Sequence, residues 1–450
     1  MEKIKVIFKS KEFWILIAIL AVGAFLRLYK ISEYMTFLGD EGRDVIIVRR
    51  FLTELHPPLI GAGTSVGNMY LGPLYYYMMA PALLLANFSP VGPAVQIAIL
   101  GIITIAFVWW VGREWFPSTG SGPSVAGLVA AGLYAISPTV IWFSRSSWNP
   151  NIMPFFSLLS IYSIWKVYES REASREVGCW LIILGISLAF VLQSHYLGLL
   201  LFPTVGIFWL LTLKKFKSDK SFLRKSLISL FIFLGLMSPL LIFDIRHGWT
   251  NFNAIKIFFT ASRDIGLPFL SYFTKIESTS VMLFANLIAA KNIYLGILTI
   301  IICLIFLLWI YKKKLLTGTY ILLYLWLIIG IVGVSFYKGA VYDHYLGFLF
   351  PAPFLLMGAI AQKFKKTFIP FFLIIIYFSL INSPILSSPN MQMPRAISVA
   401  KVIQEKANGE RFNLATISDL NNRDVYQYFL TIWGAKVVDV DPSLQSLQLP

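Results

Sequence analysis

Long apolar runs divided by short polar loops dominate the chain. Runs near 12 to 29, 91 to 111, 124 to 143, 151 to 168, 178 to 194, 197 to 213, 226 to 243, 293 to 311, 319 to 337, 346 to 361 and 367 to 383 come close to the ~20 residues a helix needs to cross a bilayer. The pattern predicts an all-α polytopic membrane protein with about eleven transmembrane helices. One further stretch, "GPLYYYMMAPALLLA" (72 to 86), is short, carries Pro73 and Pro81, and opens with Tyr75 to Tyr77, as an interfacial segment does. In "LGDEGRDVIIVRRFLTEL" (38 to 55), Val45, Val48, Leu52 and Leu55 recur at helical spacing while Arg43, Arg50 and Glu54 share another face. That spacing predicts an amphipathic helix on the membrane surface. Beyond residue 384 the pattern changes to helix, Gly409, strand at 411 to 417, helix at about 423 to 433 and strand at 435 to 440. The chain thus divides into a membrane domain, 1 to 384, whose first loop (30 to 90) carries interfacial helices, and a small α/β tail, 385 to 450. So short a tail has a marginal core alone and is expected to dock on the membrane domain or on its long loop 244 to 291.

Composition agrees: 57% of residues are hydrophobic and 13% charged. The net charge of +16 would suit a nucleic-acid partner, but Lys and Arg concentrate in loops such as "KKFKSDKSFLRK" (214 to 225), "YKKK" (311 to 314) and "QKFKK" (362 to 366). Such loops are orientation signals, and no nucleic-acid role is expected. Lys3, Lys5, Lys9 and Lys11 place the N-terminus in the cytoplasm. With 72 to 86 lying on the surface, every basic loop falls inside, and the first loop and the tail fall outside a plasma membrane. No small-residue cleavage site precedes Arg27, so the first run is read as a retained span. Cys179 and Cys303 lie in or beside apolar runs, which gives no disulfide framework.

This topology sorts the polar residues by side. His56, His195, His247 and His344 fall at outer ends or in outer loops, with Asp40, Glu41, Asp44, Asp244, Arg246 and Asp343, while span centres hold almost no ionisable group. A coupled transporter more often carries charges near mid-bilayer. Each outer stretch has a plain alternative. Asp40 suits an N-cap, with Glu41 adding a dipole contribution. Asn149, in "FSRSSWNPNIMPF" (143 to 155), suits an Asn-Pro turn. Asp244, Arg246 and His247 in "FDIRHGWTN", and Lys338, Asp343 and His344 in "YKGAVYDHYLGFLFPAP", suit snorkelling helix ends. His195, in "QSHYLG", suits a helix turn. No metal, nucleotide or paired-cysteine motif is present.

An acidic pair after the first span, then "GPLYYYMMAPAL", a charged turn "SRSSWNPN" and a late "HYLGFLFPAP" together resemble the integral-membrane glycosyltransferases of the GT-C fold. The branch most similar is that of protein O-mannosyltransferases and lipid A aminoarabinose transferases. The resemblance spans about 12 to 385 in order and hydropathy. It implies an acidic catalytic residue in the first external loop, which maps onto Asp40 with Glu41 beside it. Members often carry an acid before the proline of the second external turn, where this chain has Asn149.

The resemblance further implies a polyprenyl-phosphate-linked sugar donor, a lipid, glycan or protein acceptor, and chemistry at the external face beside the bilayer. Asp40 would act as general base and Glu41 as its support or as an acceptor contact. An anionic leaving group calls for cationic donors, and Arg145, Arg246, Lys338 and His344 are the candidates, with Arg246 and His344 expected to converge with Arg145 near Asp40. Arg43, Tyr75, Asn149, His195, Asp244, His247 and Asp343 complete the candidate substrate contacts. No cofactor is assigned, with a divalent cation left open. The rival classes are a lipid or polysaccharide transporter and a non-catalytic scaffold.

Overall fold

In the computed structural model the described residues are 11–64, 69–118, 122–217, 219–260, 269–417 and 423–438. Lys3, Lys5 and Lys9, and the last two positions of the strand expected at 435 to 440, lie outside them. Every apolar run noted above becomes helical. Among the described residues, seven helices are long and apolar enough to cross a membrane: Val91–Trp115, Arg175–Ser194, Tyr196–Lys215, Lys220–Arg246, Ile293–Lys312, Gly318–Ser335 and Ile369–Leu386. An eighth is added if Asp343–Leu349 and Pro351–Lys363, bent by 53° to one another, form one span. The expected count of about eleven is therefore not reached on length and composition. The run at 124 to 143 breaks at Ser137-Pro138, leaving Val125–Ile136 with 12 residues, and about 18 Å of helix falls short of a ~30 Å hydrocarbon core. Lys11–Leu28 contains Lys11, Glu12 and Arg27.

The break is closed by polar groups within the fold. Fully buried Arg27 donates to Ala135 O at 2.9 Å and to Tyr134 O at 3.3 Å, serving carbonyls that the helix end leaves without partners. The Ser137 and Thr139 hydroxyls donate to Leu287 O and Asn286 O, each at 2.7 Å. Those acceptors belong to Phe269–Leu287, which with Thr250–Thr260 makes the expected loop 244 to 291 largely helical.

The two ends of the bundle differ. At one end Lys166 pairs with Glu114 at 3.2 Å, Lys215 donates to Tyr168 O at 2.7 Å, and Gln362 donates to Pro117 O at 3.4 Å. The basic loops thus gather together. The first loop and the tail meet at the opposite end, where Ala94, Ile97 and Ala98 of Val91–Trp115 join a hydrophobic cluster with Val45, Val48, Tyr76, Met79, Val425, Tyr428 and Phe429.

The tail contains the helices Gln392–Ala407 and Arg423–Ile432. No strand occurs among the described residues, so the α/β character expected of the tail is not seen. The two expected strand positions meet as a single parallel bridge, Phe412 with Val437. A two-stranded pair that short gains too little to extend without a third partner. The tail docks on the first loop: Arg423–Ile432 packs across the helix Gly39–Glu54, and Tyr428 donates to Phe88 O. Upstream, Met391 N donates to Glu33 O at 2.9 Å and Tyr34 donates to Ser387 O at 2.8 Å.

Candidate active site

The helix Gly39–Glu54 begins two residues earlier than an Asp40 cap requires. Leu38 is the extended N-cap, so Glu41 is the third helical residue, and its Oε2 accepts from Leu38 N at 3.0 Å. Glu41 therefore performs the reach-back that closes a helix start, and Asp40 is released from the capping role. The apolar stripe of this helix faces protein, not lipid as expected: Val45 and Val48 are buried beneath the tail and the helix Leu74–Leu85, while Leu55 is exposed.

Release leaves Asp40 half exposed, with its Oδ1 2.8 Å from Arg43 Nη1. The same guanidinium reaches Asp44 Oδ1 through Nη2 at 2.7 Å and Nε at 3.0 Å, and the Tyr76 hydroxyl donates to that oxygen at 2.9 Å. Asp44 has no solvent exposure, and its Oδ2 finds no partner among the described residues. Burial pushes Asp44 up to about 6 against the pull of Arg43. Burial likewise pushes Glu41 up to about 7, with Asp40 and Asp44 adding to the rise and backbone hydrogen bonds opposing it. Burial, then the Asp44 charge, holds the Tyr76 hydroxyl well above its ordinary value and keeps it a donor.

Asp40 stands where two cavities meet. The larger, about 470 Å³, is lined by Asp40, Glu41, Arg43, Trp142, Trp148 and Asn151 with Gln392 and Asp424 of the tail. The smaller, about 150 Å³, is lined by Asp40, Trp148, Asn149, His195, Tyr196, His344 and Tyr345. Leu71 and Tyr196 also wall a third cavity of about 270 Å³, bordered by Leu192, Leu199, Met237, Leu240 and Ile255, whose surface is almost wholly apolar. The small cavity around Asp40 thus shares two wall residues with a hydrophobic groove beside the Arg175–Ser194 and Lys220–Arg246 spans.

The outer residues named from sequence divide by position. His344 packs on Trp148 at 4.6 Å and lies 5.8 Å from the His195 ring, so both imidazoles reach the small cavity with Asp40. Asn149 starts a short 3₁₀ turn and donates to Ser194 O at 2.8 Å while lining the same space. Asp343 lines a separate cavity and accepts from Asn286 Nδ2 at 2.6 Å. Tyr75 is buried against the Ser147 hydroxyl at 2.7 Å.

Convergence of the cations is only partial. Arg145 is buried with its guanidinium over the Tyr34 ring at 4.5 Å, and it donates to Leu26 O and Tyr29 O, carbonyls at the end of the first helix. Arg246 and His247 are exposed, with His247 stacked on Phe243 at 4.1 Å. Asp244 accepts from Asn251 N and Phe252 N, starting the next helix. None of these four, nor Lys338, lines the cavities around Asp40. Sequence reasoning put Asp44 on the outer face and Tyr76 in an interfacial run but gave neither a role at the site. The four-residue spacing from Asp40 to Asp44 was the available signal, because it puts both carboxylates on one helical face with Arg43 between. Among the described residues no group of three or more His, Cys, Asp or Glu is arranged to hold a metal ion.

Comparison with known proteins bears on this architecture. The model of the dolichyl-phosphate-mannose-protein mannosyltransferase family matches residues 50–254, a stretch starting after the Asp40 turn. No curated protein matches the full sequence. ArnT from Cupriavidus metallidurans, solved with undecaprenyl phosphate bound, is similar with a TM-score of 0.59 at 13% identity, over 97% of this chain and 91% of that one. Its apo structure gives 0.58 at 12% identity, over 92% and 84%. The archaeal oligosaccharyltransferase AglB from Archaeoglobus fulgidus, solved with an inhibitory peptide and a dolichol-phosphate, gives 0.55 at 13% identity over 88% of this chain, which spans 59% of that protein's length. This chain therefore has the GT-C fold, and its resemblance to the GT-C glycosyltransferases is shown.

Proposed function

We propose that the protein transfers a sugar from a polyprenyl-phosphate-linked donor to an acceptor at the external face of the plasma membrane, with Asp40 as general base. One observation carries the reading: Asp40 is common to a large cavity with both polar and apolar walls and to a small one that shares Leu71 and Tyr196 with an apolar groove. A donor with a polar head and a hydrocarbon tail fits the second path, and an acceptor fits the first. The undecaprenyl phosphate bound by ArnT supports a donor of this kind.

In the proposed reaction the acceptor hydroxyl gives its proton to Asp40 as its oxygen bonds to the anomeric carbon. The bond from that carbon to the phosphate oxygen breaks, and the electron pair leaves with the polyprenyl phosphate. General-base assistance of this kind contributes ~10²- to 10⁴-fold. His195 and His344 stand on the donor side to hydrogen-bond the phosphate, Arg43 keeps Asp40 in place, and Asn149 adds a polar contact. The gathering of basic loops at the opposite end supports an external site with a cytoplasmic N-terminus. The test is incubation of the purified protein with a panel of radiolabelled polyprenyl-phosphate sugars. Release or transfer of sugar supports the reading, and turnover of none of them opposes it.

A further inference from the structure

We propose that the cavity of about 470 Å³ is an acceptor subsite built for a saccharide, with the tail forming one of its walls. This inference rests on the reading of Asp40 as the transferring carboxylate. The walls offer polar groups of both kinds. Asn151 is held in place by donating through Nδ2 to Ser146 O at 2.8 Å. Gln392, from the tail, accepts from Phe37 N at 2.9 Å through Oε1, so its NH₂ group remains as a donor. Asp424, also from the tail, adds a carboxylate near its ion-pair partner Arg423 at 3.7 Å. Trp142, half exposed, and Trp148 supply flat apolar faces.

A ligand that suits these walls must donate to the carboxylates, accept from Gln392, and lay an apolar face on indole. A hydroxyl both donates and accepts, and a sugar ring carries several hydroxyls around an apolar face. The other acceptor classes fit less well. A lipid acceptor calls for almost wholly apolar walls, which here belong to the separate groove. An extended peptide calls for a strand edge or a helix groove, and among the described residues no strand borders the cavity. At this volume the space falls in the range of small-molecule sites.

The test is saturation-transfer NMR on the full-length protein in lipid nanodiscs, with maltose, methyl glucoside and a Ser/Thr-containing hexapeptide as probes. Saturable binding of a saccharide is expected, weakened about tenfold by Gln392→Ala and by Trp142→Ala, the second altering a half-exposed side chain that leaves no buried hole. Absence of saccharide binding, indifference of that binding to both substitutions, or binding of the peptide alone would overturn the proposal. Saccharide binding with the expected losses, in a protein that consumes no polyprenyl-phosphate sugar, would leave the subsite standing while removing the transfer reading.

Discussion

Arg43 places one guanidinium nitrogen 2.7 Å from buried Asp44 and another 2.8 Å from half-exposed Asp40. A rigid fork bonded to both carboxylates ties the proposed base to a group that cannot move, because Asp44 is also held by Tyr76. Removing Asp44 should thus be felt in stability. Asp44→Ala leaves Arg43 and Tyr76 without their shared acceptor, and breaking a buried pair costs ~3 kcal/mol or more. Thermal unfolding in detergent should show that loss, with a smaller one for Asp44→Asn, which keeps an acceptor oxygen.

Stability should fall as pH rises through the mildly acidic range. Glu41 moves from 4.5 to about 7, and Asp44 from 3.8 to about 6, on going from an ordinary carboxyl to the folded site. Between those values the folded chain holds protons that the unfolded chain has lost, so their stabilisation is complete below about pH 4 and gone above about 7. Each group contributes a slope of at most ~1.4 kcal/mol per pH unit. Glu41→Gln stays neutral throughout, so its stability relative to the parent should improve from pH 4.5 to 7. Melting curves across that window check the difference, and a constant difference would show that Glu41 does not titrate there.

Gly42 should not tolerate alanine. In most helices that change stabilises by about 0.5–1 kcal/mol. Here an added Cβ would lie 2.6 Å from Val425 N and 2.8 Å from Asp424 C, backbone atoms of the tail that cannot rotate away. Gly42→Ala should loosen the tail, read as faster limited proteolysis between residues 385 and 422, and should lower transfer.

Much of this was legible in the sequence because a bilayer imposes one strong rule, a run of apolar residues for each crossing. The runs at 91 to 111, 178 to 194 and 226 to 243 all became long helices. What periodicity could not reveal was packing. The stripe of Val45 and Val48 is equally suited to lipid or protein, and only the tail decides between them. Asp40 and Glu41 were visible as an acidic pair, but a shift of two residues in the helix start gave the reach-back contact to Glu41. Charge alone also overstated Arg145, whose guanidinium serves backbone carbonyls that no pattern of side chains records.

The central claim concerns Asp40, and Asp40→Asn tests it most directly. The Asp40–Arg43 pair is exposed on the Asp40 side, so its loss should change stability by well under ~1 kcal/mol. Asparagine keeps the shape but cannot take the acceptor's proton. The measurement is the transfer rate of purified Asp40→Asn protein with a radiolabelled polyprenyl-phosphate sugar that the parent protein uses. A fall of ~10²-fold or more with an unchanged melting temperature is the predicted result, and near-parental transfer by the folded variant would contradict it.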